Sequence, residues 1–541
     1  MLNYFNVHRG LTLTAWLCIV LSQHLYAQKK SLSRVYDPIV VAAGKLDPLK
    51  DDSIKVFTAY CYIEGNFRPS LFQIDEVDSK GFFLREQDQT ADSNDQVVFM
   101  PNGTGDRAPT DQWVEGSGDV RLELEVTDSL ATPPAKGWLY LFRHVPNPPN
   151  LPPHVRYVRG PETVGSDIVF ATSYVDSHST EGWFVHTRIR PPYGDGQNIL
   201  DRQKVRVGGR HNLFGSVTLN EETDVRYRSI RHGGGPVRVL REYGVKITFL
   251  GFLIDSTASF TTQYFPFSTV FGAQNVTIPA VTGLTVNLIR LSSDLNDRAI
   301  GMKFFNAFNS NGITVDGAAD SPVNTITNPP DGVNWLMLTG NPGTIVTLMN
   351  IPLIGETRGL YYKDSLTPDN NDTGDKKSYG DSGILVTSTT NITGRLSFDF
   401  TTYYVDKNQP GSAGEQFKQR GLNPLQVTAV EQTRTITAVS ENATQPADFR
   451  LDEARPNPFA PREGSVQISF DLGRTNIKPS LRIFNLLGQE VARFDAADLL
   501  RSQTILWDGR DRFGRLVPAG IYFYELTVGR QRAVKKLILL R

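Results

Sequence analysis

The chain has 541 residues, 39% of them hydrophobic and 10% aromatic, so it is too long for one ordinary core and too apolar to be disordered. Its 56 lysines and arginines nearly balance 57 aspartates and glutamates, and a formal charge of −1 excludes the basic surplus of a nucleic-acid binder. Two cysteines in this length exclude a disulfide scaffold.

The N-terminus reads as an export leader. Arg9 precedes the apolar run LTLTAWLCIVL, and Leu25-Tyr26-Ala27 offers a small-residue cleavage site. The expectation is a signal peptide over 1–27, followed by a mature chain with no transmembrane segment. Cys18 lies in the leader and lacks the small residues a lipoprotein signal needs before it. Cys61 alone remains, in VFTAYCYIEG, and is expected to pack as a small apolar residue in a strand.

Beyond the leader, helical periodicity is nearly absent. Short runs rich in Val, Ile, Thr, Tyr and Phe recur between Gly, Pro, Asn and Asp, the pattern of an all-β chain built from sandwich-like domains. A first β-rich block spans 31–155 and ends in the proline-dense HVPNPPNLPPHV, which cannot supply a central strand. Within it, Gln73-Ile74-Asp75-Glu76 and Asn94-Asp95-Gln96-Val97-Val98-Phe99-Met100 resemble a pair of strands found in uncharacterised secreted bacterial proteins, some associated with polysaccharide-degrading systems. Asp75, Glu76 and Asp95 are therefore candidate catalytic carboxylates, since glycoside hydrolysis needs two acids facing each other across a sugar. Asp92, Asn94 and Asp95 form a tight oxygen-rich run that could equally hold calcium, or simply make a turn.

The second block, 156–432, carries further strand signals, among them DIVFATSYV, GWFVHTRIR, VKITFLGFLI and GRLSFDFTTYYV. In the last, Leu396, Phe398, Phe400 and Thr402 share one face, while Ser397, Asp399 and Thr401 share a wet one. Its Asp-rich segment 364–383 contains Asp369 and Asp372, again calcium candidates, although Lys376 and Lys377 favour a solvated loop. The mature chain's six histidines, His144, His154, His178, His186, His211 and His232, form no zinc motif. Ser382 in GDSG lacks the surroundings of a serine protease, and RHGGGP lacks a P-loop lysine, reading instead as a turn. No cofactor motif is present, calcium being the sole candidate ion.

A polar linker, 433–454, leads to a module over 455–541 with legible strands. VQISFDL alternates Val466, Ile468, Phe470 and Leu472 inward; Leu481 and Ile483 mark the next strand, and AVKKLILLR closes the chain. Asp508 and Asp511 in WDGRDRFGRLVPAGIYFYEL resemble a metal loop in isolation, but their glycines suit a hairpin. Taken in order, several pieces resemble the C-terminal sorting domain of type IX secretion cargo, an Ig-like sandwich related to that of flagellar hook-capping proteins. They are Pro456-Asn457-Pro458-Phe459, Leu481 to Asn485 with Gly488, Trp507-Asp508-Gly509-Arg510-Asp511 with Gly514, Gly520 with Tyr522, and Lys535-Lys536 in the final strand. The resemblance implies Sec export, recognition by an outer-membrane translocon, and release or attachment to surface lipopolysaccharide, in a Bacteroidetes-like bacterium. The central region is expected to be a non-catalytic glycan- or matrix-binding β-protein; the alternative is a secreted polysaccharide lyase or glycosidase.

Overall fold

The structure is a computed structural model. It describes residues 28–46, 53–79, 84, 89–146, 148–160, 167–178, 184–249, 252–255, 259–278, 282–324, 332–350, 357–434, 449–461, 464–472, 479–486, 488–494, 496, 499, 504–511, 513–528 and 531–540. The leader 1–27 and most of the expected linker lie outside them. The chain divides into two compact units, Met1–Arg434 and Thr435–Arg541.

Both units are built from antiparallel sheets, as the strand-and-turn pattern requires. In the first unit a ten-stranded sheet faces a five-stranded one. Leu284, Val286, Ile289, Ile384 and Val386 of the smaller sheet meet Phe304, Leu336, Leu338 and Met349 of the larger in one core. Alternation along Gly394–Val405 follows the pleat: Phe398 is buried and Asp399 exposed. At its end the outer face is dry too, because the helix Ala413–Leu422, which no periodicity announced, packs Phe417 on Tyr403 at 4.7 Å between ring centroids. Arg231–Gly234 of the glycine-rich run are not a turn but the end of strand Val225–Gly234, paired with Val239–Phe249.

A second five-stranded sheet collects the early strands. Phe57–Ile63 carries the buried, unpaired Cys61 at its centre. Gln426–Thr433 pairs along its whole length with Val120–Asp128, so a strand from the end of the second block completes the sheet of the first. The proline-dense segment contains no strand among its described residues.

The second unit packs a three-stranded sheet on a four-stranded one. Val466, Ile468, Phe470, Leu472, Leu481, Ile483, Tyr524, Leu526, Leu537 and Leu539 all point into one core, matching the period of two read from the sequence.

Candidate functional sites

The C-terminal motifs converge on the last strand. Gln531–Leu539 is an end strand, paired along one edge with Gly520–Val528. At its other edge the Pro-Asn-Pro-Phe segment closes on it. Phe459 N–H donates to Ile538 O at 2.8 Å and its carbonyl accepts from Leu540 N–H at 2.7 Å. Asn457 reads the same stretch with both ends of its amide, donating to Lys536 O and accepting from Ile538 N–H, each at 2.9 Å. Pro456 and Pro458 flank it in exposed backbone, while Phe459 is buried near Trp507. Lys535 pairs with Glu453 at 2.7 Å; Lys536 is exposed.

The Asp508/Asp511 stretch is a turn. Asp511 accepts from the N–H groups of Phe513 at 2.8 Å and Arg515 at 3.0 Å. Desolvation is outweighed there by those donors and the Arg515 side chain, which hold the carboxyl below its ordinary value. Asp508 caps Arg510 N–H at 3.2 Å. Gly509 and Gly514 take φ of +79° and +76°, a region that strains any residue with a Cβ. Gly488, at +76°, turns the other hairpin. Trp507 is buried with its indole N–H on Arg510 O, and the Tyr522 hydroxyl bonds Pro518 O, two residues ahead of Gly520.

The candidate acids Asp75, Glu76, Asp92 and Asp95 of the first block are each engaged within the fold. Asp75 is buried against Arg238, 2.8 Å from its Nε, and accepts from Gln73. Burial lifts its pKa, partly offset by Arg238 and Gln73. Arg238 also donates to Gln96 and Gln263. Glu76 accepts from the backbone N–H of Gln89 at 2.9 Å. Asp95 and Asp92 lock a reciprocal turn: Asp95 accepts from Val77 and Asp92 N–H, and Asp92 accepts from Asn94 and Asp95 N–H. These bonds satisfy oxygens that a calcium ion would need.

In the Asp-rich segment, Asp369 caps Asn371 N–H and reaches Lys363. Asp372 is not solvated but folded back onto the five-stranded sheet. Its carboxylate lies 3.0 Å from Lys204 Nζ and 2.7 Å from Arg206 Nη2. Burial alone would lift its pKa, yet Lys204, Thr373 N–H and Arg206 hold it at about 2. Lys204 is wholly buried and also pairs with Asp294 at 2.6 Å. Burial and the nearby Asp381 carboxylate push Asp294 upward. One lysine and one arginine thus neutralise the Asp372 carboxylate. No motif marks this cluster, because its members lie up to 168 residues apart.

A second buried network was invisible in the sequence. His178 Nε2 lies 2.7 Å from the Tyr264 hydroxyl, which lies 3.0 Å from that of Tyr243. Arg241 sits over Tyr243 and reaches Asp167 at 3.0 Å, while Tyr157 donates to Asp167 at 2.6 Å. Asp176 shares the face of His178 and accepts from Thr187 Oγ1 at 2.8 Å; its other oxygen has no hydrogen-bond partner. Burial raises the Asp176 carboxyl to about 7 and drives the His178 imidazole well below its ordinary value. The same burial holds Tyr264 far above a phenol's usual range, which leaves it a neutral donor rather than a base.

Phe184 and Thr187, at the end of this network, also line an apolar cavity of about 240 Å³ between the facing sheets. Val205, Phe260, Phe271 and Phe398 form much of its wall, and Ser382 of the GDSG run faces it from mid-strand. Such a lining suits an aliphatic or aromatic group.

No protein-family model and no curated relative matches the chain. Among solved structures, 34 chains match. A putative aldose 1-epimerase from Klebsiella pneumoniae aligns at 13% identity over 49% of this chain and 86% of its own, with a TM-score of 0.29. PorZ, an essential surface component of the type-IX secretion system of Porphyromonas gingivalis, aligns at 10% identity over 70% of this chain and 69% of its own, with a TM-score of 0.15. Among the described residues, no helix is long and apolar enough to cross a membrane.

Proposed function

We propose that the chain is an exported bacterial protein whose C-terminal unit is a delivery address for a type IX translocon and whose N-terminal unit is a non-catalytic glycan- or matrix-binding body. The observation that carries the address is the clamp of Asn457 and Phe459 on the final strand. It joins the first and last pieces of the motif into one folded surface. Only part of that strand's outer edge is taken up, and an end strand with free backbone groups is a natural docking element. The binding reading is supported by the commitments of Asp75, Glu76 and Asp95 to Arg238 and to backbone donors, which leave their carboxylates poorly placed to face a glycosidic bond.

Deleting residues 455–541 tests the address. The truncated chain should accumulate in the periplasm, and normal delivery to the surface or medium would refute it. The binding body is tested by incubating the mature protein with a polysaccharide panel. Retention on a glycan without product release is expected; release of oligosaccharides refutes the non-catalytic reading.

A further inference from the structure

Asp316 and Asp320 stand in the loop after strand Asn309–Thr314, an end strand of the ten-stranded sheet. Asp364 stands in Thr357–Ser365, an end strand of the facing five-stranded sheet. One carboxylate oxygen from each lies within 4.8 Å of the others. The cluster is more than a group of surface acids. Asp364 is only 2% exposed; its Oδ2 accepts from Asp316 and Gly317 N–H at 2.8 Å, while its Oδ1 is buried with no hydrogen-bond partner.

A second buried group stands with it. Tyr362, two residues earlier in the strand, is 7% exposed and its hydroxyl also lacks a partner. No lysine or arginine among the described residues pairs with the triad. Lys363, the sequence neighbour of Asp364, turns instead to Asp369 and Asp372.

We infer that Asp316, Asp320 and Asp364 form a calcium site that ties the edges of the two sheets together. Three carboxylates with neither histidine nor cysteine are a hard oxygen set, suited to calcium rather than zinc. Oxygens sharing one calcium ion lie at most about 4.6–5.2 Å apart, and the three carboxylate oxygens, all within 4.8 Å of one another, meet that bound. Asp316 and Asp320 are exposed, which leaves room for the waters that complete seven-fold coordination. The buried Oδ1 of Asp364 would gain the partner it lacks.

The test uses the calcium-free mature chain and a D316N/D320N variant, each titrated with calcium chloride by calorimetry. The wild type should bind saturably with Kd of about 10⁻⁴–10⁻³ M. At a tenfold excess over Kd its folding equilibrium should shift about tenfold. The variant should lose both responses yet unfold in EDTA no earlier than the wild type, because two repelling charges are gone. No saturable heat up to about 10 mM calcium, or equal binding by the variant, would overturn the site. An equal response to magnesium chloride would overturn the assignment to calcium.

Discussion

Replacing Asp176 by asparagine isolates the cost of a buried carboxyl. Asp176 is fully buried and titrates at about 7, against about 3.9 in an unfolded chain. Between those pH values the folded protein holds a proton that the unfolded chain has released, so stability from this group falls as pH rises. At about 1.4 kcal/mol per tenfold, the cost reaches about 4 kcal/mol above pH 7, read from a pKa of about 7. His178 acts in the opposite sense. Its imidazole stays neutral in the fold, so the unfolded chain gains protons below about 6.5 and stability is lost as pH falls. The two slopes partly cancel in the wild type, and only a difference curve separates them. Asparagine keeps the acceptor for Thr187 and carries no charge. Denaturant unfolding of both proteins from about pH 4 to pH 8 should give nearly equal stability at the acid end. The variant should then pull ahead by about 4 kcal/mol near pH 7, levelling off above it. Parallel curves across that range would refute a protonated Asp176.

Arg238→Met should destabilise the N-terminal unit by about 3–5 kcal/mol, because Asp75 is left buried and unpaired. Adding Asp75→Asn to that variant should recover part of the loss in urea melts, and no recovery would argue against the pair. Asn457→Ala removes two hydrogen bonds to the final strand, together worth about 1–3 kcal/mol. Faster exchange of the Ile538 amide should report it, whereas unchanged protection would mean the clamp contributes little. Gly414→Ala puts a methyl group into the Trp335 ring, so the helix Ala413–Leu422 should shift and break the Trp335–Glu415 bond at 3.0 Å. Overpacking of this kind costs about 1–3 kcal/mol, and a red shift in tryptophan emission should accompany it.

Strands were legible where one face is dry and the other wet. Val466, Ile468, Phe470 and Leu472 form one such face, and all four are buried. Turns were legible where a conformation demands glycine, as at Gly488, Gly509 and Gly514. The rule weakened where both faces are covered. Tyr403 and Tyr404 are adjacent and both buried, one under the helix and one in the inter-sheet core. The helix itself is short and mostly polar, with Phe417 as its main apolar anchor, so its residues carried no clear period.

The candidate sites were less legible for a different reason: local composition does not say which charges meet. Asp369, Asn370, Asn371 and Asp372 look alike in sequence, and polarity alone predicts water around all four. Asp372 is instead drawn down by Lys204 and Arg206, residues on a strand 166 or more positions earlier. The loop is thereby fastened to the sheet by charge. Removing both cations would leave Asp372 buried without its two main partners, at a cost of several kcal/mol. The triad of Asp316, Asp320 and Asp364 follows the same logic, since Asp316 and Asp364 touch only because two sheet edges close on each other. In a β-protein of this size, polar chemistry is assembled by long-range strand pairing. Its sequence signature is faint, because Lys204, Asp294 and Asp364 stand in strands that carry other charged residues, and nothing local marks which of those charges the fold buries.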